Sequence, residues 1–295
     1  VPDASARRYY RLRDARGSVV VLLQPRPFAP EGDDFLGLAA FFRGHGWPVP
    51  AVEAIFAEVG LVVLEDLGDT FLHAADGLAS YEAAIDLLVD LQRIQPPATT
   101  TAPPWNRRFD APFYQRELTL FIDAFQPLTA TRDPVARDQF LRHTAPLCEA
   151  LAALPLVVCH RDYHRRNLLV REGRVRPIDF QDARLGPRGY DLASLLEDPY
   201  GDLDDGQRRH LLARYRAASD APLSDEEYAL AAVQRLLKAA GTYANQAVNL
   251  ANRAYLPYLT AALAGARRAV QGVTGRFDPL AENIDRLCAT WEAHR

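Results

Sequence analysis

The polar run His160 to Asn167 lies between two short apolar stretches, Leu156–Cys159 and Leu168–Arg171, in a half of the chain that otherwise reads as helix. Both flanking stretches are too short for helices and rich in leucine and valine, so they read as strands. Val175 to Ile178 follows as a third, turning back at Glu172-Gly173 as a hairpin. An all-helical bundle is therefore excluded. The helices must pack around a strand–loop–strand unit whose loop carries His160, Arg161, Asp162, His164 and Asn167.

The first third has a different texture. Arg8 to Arg13 and Ser18 to Leu23 read as strands joined at Asp14–Gly17, and Gly60 to Leu64 reads as another. Asp33 or Asp34 caps a helix carrying Phe35, Leu38, Ala39 and Phe42 on one face. From Leu78 onward helical spacing dominates: 80–94, 111–125, 133–152, 204–217, 224–241, 255–270 and 278–291. The Pro/Thr tract 96–104 reads as a connector. The expected architecture is α+β in two lobes. Residues 1–68 form a small antiparallel-sheet lobe with one helix, and 69–295 a larger helical lobe with a central β-hairpin.

Composition narrows the function classes. The net charge of −4 and pI near 6.0 give no electrostatic footprint for nucleic acid or an anionic membrane. No apolar run reaches the roughly 20 residues of a membrane span. Cys148, Cys159 and Cys288 have no pairing or metal spacing and read as reduced thiols of a cytoplasmic protein. The sequence contains no methionine, so residues preceding Val1 are expected. Of the 34 basic residues only Lys238 is a lysine.

The chemistry concentrates where the strands end. Asp162 and Asn167 share one loop, and Asp179 follows at the end of the next hairpin, in Pro177-Ile-Asp-Phe-Gln-Asp182. Phosphoryl transfer asks for this inventory: a carboxylate to orient the attacking hydroxyl, and hard oxygen donors for Mg²⁺. His-x-Asp alone is more often a capping or solvated pair. The ordered set of loop Asp, loop Asn and strand-end Asp is what points to ATP and Mg²⁺. In this reading His160 packs and fixes the loop. His164, Arg165 and Arg166 are either solvated loop groups or contacts to substrate or phosphate.

His160-Arg-Asp-Tyr-His-x-x-Asn167 followed by Ile178-Asp-Phe-Gln-Asp-Ala183 resembles the aminoglycoside phosphotransferase and choline kinase superfamily, with its protein-kinase-like fold. Four further segments resemble the bacterial N-acetylmuramate/N-acetylglucosamine anomeric kinases of cell-wall recycling. They are Asp3–Leu12, Leu64–Asp69, Gly186–Leu195 and Gln234–Gly241. The resemblance implies Asp162 as catalytic base, with Asn167 and Asp179 on Mg²⁺. It implies that the backbone of Glu65, Asp66 and Leu67 is the hinge at the adenine edge. It places the phosphate-covering loop at Asp3 to Arg7, with Ser5 and Arg7 as nucleotide contacts, and makes Asp191 a brace for the catalytic loop. The strand before that loop is absent, in keeping with a truncated start.

One departure stands out. Kinases of this fold commonly carry a lysine on the third strand to hold phosphates. Here that strand is Ser18–Gln24, which has none, and Lys238 lies far along the chain. The anomeric kinases resemble this pattern. Arg7, Arg8 or Arg11 are the candidates to neutralise phosphate instead. For the acceptor, the candidates are His164, Glu117 and Arg235, an arginine suiting the carboxylate of N-acetylmuramate. The cluster Glu197, Asp198, Asp202, Asp204 and Asp205 would suit a polycationic antibiotic, but Asp204 and Asp205 also read as helix-capping acids. Aminoglycoside, choline, homoserine and fructosamine remain alternative acceptors, and a non-catalytic nucleotide-binding module a further alternative.

Overall fold

The computed structural model describes residues 7–15, 17–73, 77–95, 102–201, 203–273 and 275–295. It opens with strands β1 (Arg8–Asp14) and β2 (Gly17–Leu23), helix α1 (Asp34–Gly44), and strands β3 (Val52–Phe56) and β4 (Leu61–Glu65). These strands form one antiparallel sheet in the order β1-β2-β4-β3, with Val19 opposite Glu65 and Leu23 opposite Leu61. Asp33 caps α1 by accepting the Leu36 amide, and Phe35, Leu38, Ala39 and Phe42 form its buried face.

Helices α2 (Ala79–Arg93), α3 (Ala111–Leu128) and α4 (Pro134–Ala152) follow. Then come β5 (Leu156–Cys159), β6 (Leu168–Arg171), β7 (Arg174–Pro177) and β8 (Arg184–Pro187). β5 pairs with β8 and β6 with β7, both antiparallel. The loops β5–β6 and β7–β8 are thus held at both ends by paired strands. The remaining helices are α5 (Gly189–Leu196), α6 (Asp205–Ala218), α7 (Asp225–Asn249), α8 (Leu256–Val270) and α9 (Asp278–His294).

Two strands escape a sequence pattern search. β3, Val-Glu-Ala-Ile-Phe, is an edge strand with both faces partly exposed, so it lacks clean alternation. β8, Arg-Leu-Gly-Pro, contains two poor strand formers and exists because β5 pairs with it.

Apolar side chains gather in two bodies. One surrounds α7 with residues of α3, α4, α8 and α9. The other runs from the N-terminal sheet through α1 and α2 to Val158 on β5, Leu168 on β6, and Tyr163 and Phe180 in the β5–β6 and β7–β8 loops. Phe180, next to Asp179, stacks on Phe35 at 5.1 Å and meets Phe42 edge-on at 5.7 Å. The position of Asp179 is therefore coupled to α1. On the other side, Gly241 lets α7 approach α3: a Cβ there would lie 2.9 Å from the Phe121 Cα. Cys148, Cys159 and Cys288 are buried and free. Among the described residues no helix is long and apolar enough to cross a membrane.

Candidate active site

Asp191, in the first turn of α5 and fully buried, holds the start of the β5–β6 loop. One carboxylate oxygen accepts the His160 amide at 2.6 Å and the other the Arg161 amide at 2.9 Å. Burial pushes this carboxyl up to about 7, against the two amides. The His160 ring, which burial pushes down to about 4, is neutral at physiological pH. Its Nε2–H donates to the Ile178 carbonyl at 3.0 Å, tying this loop to the residue before Asp179. Arg161 and Asp179 both have left-handed backbones, with φ of 83° and 63°. Such conformations cost about 1–3 kcal/mol each and persist where the surroundings dictate them.

The three expected chemical residues converge. The Asn167 amide nitrogen donates to the Asp162 carbonyl at 3.0 Å and to Asp179 Oδ2 at 3.3 Å. The Asn167 backbone carbonyl accepts the Ile178 amide at 2.9 Å. Gln181 Nε2 donates to Asp179 Oδ1 at 2.7 Å. Spending the Asn167 NH₂ on the loop leaves Oδ1 as its donor atom toward a cation. An amide oxygen beside a carboxylate is the hard-oxygen set that Mg²⁺ takes together with phosphates and water, so the residues present fit that ion.

The Asp162 side chain has an environment that sequence spacing did not anticipate. Lys238 Nζ lies 2.7 Å from its Oδ1, and Arg235 Nη2 lies 3.4 Å from the same atom. Burial alone would raise the Asp162 carboxyl, but Lys238, Arg235 and Arg161 outweigh it and hold it well below the usual range. Burial also brings the Lys238 ammonium down, with Asp162 opposing. The expectation that Lys238 lies far from the site is thus corrected. Residues 235 and 238 are one helical turn apart on α7 and share the face turned to the loop. A lone lysine and an arginine at this spacing, inside a helix otherwise buried from Ala229 to Gly241, was the available signal.

Glu117 and Arg235, expected at the acceptor, are both buried. Glu117 accepts from Gln234 Nε2 at 2.8 Å and pairs with Arg161 at 3.3 Å, one step behind Asp162. Arg235 Nε donates to Ser194 Oγ at 3.0 Å. His164, its ring pushed by burial down to about 3, meets Tyr200 edge-on at 5.9 Å and lies 3.4 Å from the Asn167 amide nitrogen.

The expected hinge is a turn fixed by ion pairs. Glu65 takes Arg176 at 2.6 Å, and its amide donates to the Ala51 carbonyl at 2.9 Å. Asp66 takes Arg11 at 2.7 Å, and its carbonyl accepts Arg171 Nη1 at 2.6 Å. Leu67 is buried. Arg11 also pairs with Asp69 at 2.5 Å, so its charge is committed to this turn rather than to phosphate. Ser5 lies outside the described residues. Arg7 lines a cleft of 530 Å³ with Gln24, Asp34, Arg107, Gln181 and Asp182, beside the Asp179 loop. β2 carries no lysine, and Gln24 just after it donates to Asp33 at 3.1 Å.

The acidic cluster is used internally. Asp198 accepts the Tyr200 and Arg165 amides at 2.9 and 3.1 Å. Glu197 accepts the Tyr228 hydroxyl, Asp204 forms a capping box with Gln207, and Asp205 pairs with Arg208. Asp202 lies outside the described residues.

Residues 2–232 match the model of the phosphotransferase enzyme family, APH. The N-acetylmuramate/N-acetylglucosamine kinase of Neisseria meningitidis is 33% identical over 261 residues, covering 82% of this chain and 76% of the relative. That of Pseudomonas aeruginosa is 32% identical over 259 residues, covering 82% and 74%. Among solved structures, the ethanolamine kinase of Plasmodium vivax superposes with a TM-score of 0.63 over 91% of this chain and 85% of its own. At 13% identity, that likeness shows a shared kinase-like α+β fold.

Proposed function

This chain belongs to the phosphotransferase enzyme family, and we propose that it phosphorylates the anomeric hydroxyl of an N-acetylated amino sugar, N-acetylmuramate or N-acetylglucosamine. It is an ATP-dependent kinase with a hydroxyl acceptor. The observation that carries the chemistry is Asn167 bridging Asp162 and Asp179 through one amide nitrogen. The two curated kinases, matched over 82% of the chain, carry the choice of acceptor.

Asp162 orients the acceptor hydroxyl and takes its proton. The sugar oxygen bonds to the γ-phosphorus, the bond from γ-phosphorus to the β–γ bridging oxygen breaks, and ADP leaves with that electron pair. Asn167 Oδ1 and Asp179 would hold Mg²⁺, which supplies charge neutralisation at the phosphate oxygens. A carboxylate held well below its usual range is a weak base. A loose phosphoryl-transfer transition state asks it chiefly to position the nucleophile. The hemiacetal hydroxyl of a reducing sugar, more acidic than an ordinary alcohol, demands the least of such a base. The internal use of Glu197, Asp198, Asp204 and Asp205 also supports a neutral or anionic acceptor over a polycation.

The test is to incubate the protein with ATP, Mg²⁺ and each sugar and identify the product. The reading expects an acid-labile, alkali-stable sugar 1-phosphate. Exclusive recovery of the 6-phosphate, or turnover only of an aminoglycoside, choline, homoserine or fructosamine, overturns it.

A further inference from the structure

Beside the catalytic loop stands a wall of four tyrosines from three segments. Tyr200 lies between α5 and α6, Tyr243 on α7, and Tyr255 and Tyr258 at the start of α8. Tyr200 meets Tyr243 at 5.5 Å and Tyr258 at 4.5 Å, and Tyr243 stacks on Tyr255 at 5.8 Å. The wall adjoins the reaction centre at two points. His164, two residues from Asp162, packs its ring against Tyr200, and Tyr243 lies on α7, the helix that carries Arg235 and Lys238 to Asp162. Tyr200 is fixed through its backbone, its amide on Asp198 and its carbonyl on Arg165 Nη1 at 2.7 Å.

Arg166, between the loop histidine and Asn167, lies across this wall. Its guanidinium carbon is 3.6 Å from the Tyr200 ring centroid and 5.1 Å from that of Tyr258, and its Nη2 donates to the Tyr258 hydroxyl at 3.1 Å. The residue is exposed, and its guanidinium rests on Tyr200 and Tyr258. A guanidinium stacked by its face keeps its N–H edge for a planar acid, and the ring beneath pre-orders it. The same stacking fills the aromatic surface with the protein's own cation, which disfavours an ammonium-bearing acceptor there.

We propose that Arg166, stacked on Tyr200 and Tyr258, is the acceptor-site residue that binds a substrate carboxylate and so sets the preference for N-acetylmuramate over N-acetylglucosamine. This assignment rests on the amino-sugar reading above. It moves the carboxylate contact from Arg235, which is buried and committed to Ser194 and Asp162, to an arginine at the surface of the same loop.

The experiment compares kcat/KM for the two sugars at saturating ATP in wild type and Arg166→Gln. Losing a charge-assisted contact worth about 1.5–3 kcal/mol lowers the ratio of N-acetylmuramate to N-acetylglucosamine by about 10–100-fold. A second arm uses N-acetylmuramate with its lactyl carboxyl converted to the amide. Wild type discriminates against the amide by a similar factor, and Arg166→Gln does not. An unchanged sugar ratio, or equal discrimination against the amide in both proteins, overturns the assignment. Wild-type protein that phosphorylates neither sugar instead overturns the acceptor reading, and the assignment with it.

Discussion

Lys238 Nζ sits 2.7 Å from Asp162 Oδ1, so the only lysine in the chain is spent on a carboxylate of the β5–β6 loop. Seventy-six positions separate the two residues, and α7 brings them together. In a kinase whose β2 lacks a lysine, a half-buried ammonium at this point would keep the proposed base ionised and add positive charge beside the transferred group. Replacing Lys238 with Met removes a cation that holds the Asp162 carboxyl down. The acid limb of the kcat/KM profile therefore moves to higher pH, and kcat/KM falls by about 10²-fold. An acid limb that stays in place would show that Lys238 does not face the working carboxylate.

Asp162→Asn removes the proposed proton acceptor and keeps the shape. Turnover falls by about 10²–10⁴-fold. Calorimetric affinity for a non-hydrolysable ATP analogue is unchanged, because the proposed nucleotide contacts lie elsewhere. Turnover equal to wild type would remove Asp162 from the role of proton acceptor.

Asp179 and Asn167 are proposed to act on the ion. Asp179→Asn weakens Mg²⁺-dependent binding of the ATP analogue, with the midpoint of a Mg²⁺ titration rising by about 10–100-fold. Chelation abolishes turnover in wild type, and added Mg²⁺ restores it. A variant with the wild-type midpoint would remove Asp179 from the metal site.

Asp191 tests the brace. Its two oxygens accept the His160 and Arg161 amides, so Asp191→Asn must aim an NH₂ group at one buried N–H. The conflict costs about 1–3 kcal/mol in urea unfolding. Activity falls as the loop loses its fixed start. A variant of wild-type stability would mean that the loop is held by other contacts.

His160 predicts a pH dependence. Its folded pKa, about 4, lies below the ordinary histidine value of 6.5, so the unfolded chain binds the extra proton between these values. The histidine's contribution is fully present above pH 6.5 and is lost as pH falls through 4. His160→Gln keeps a donor for the Ile178 carbonyl but cannot titrate. The stability advantage of wild type over this variant therefore shrinks by about 1.4 kcal/mol per pH unit across that window. A constant difference would mean that the ring is solvated in the folded state.

The local features of this protein are written locally. Asp162 and Asn167 share one loop, and a hairpin of four-residue strands, β6 and β7, delivers Asp179 beside them, so alternation and turn residues reveal the triad. Asp33, Asp110 and Ser224 cap α1, α3 and α7 by bonding residues three positions on, which is equally visible along the chain. What the sequence by itself determined is therefore the α+β order of elements and the trio at the loop and strand end.

Tertiary structure decided what those residues feel. β8 becomes a strand only because β5 offers it a partner. Arg11 reads as a free cation until the turn at Asp66 and Asp69 closes on it. Asp162 reads as a solvated carboxylate until α7, drawn against α3 at Gly241, brings Lys238 and Arg235 onto it. Burial and Coulomb forces act through space over a few ångströms, while sequence patterns report only neighbours within a helical turn or a strand. The residues of the proposed site could thus be read along the chain, but their charge, their partners and the aromatic wall under Arg166 arise from the packing of helices far apart in sequence.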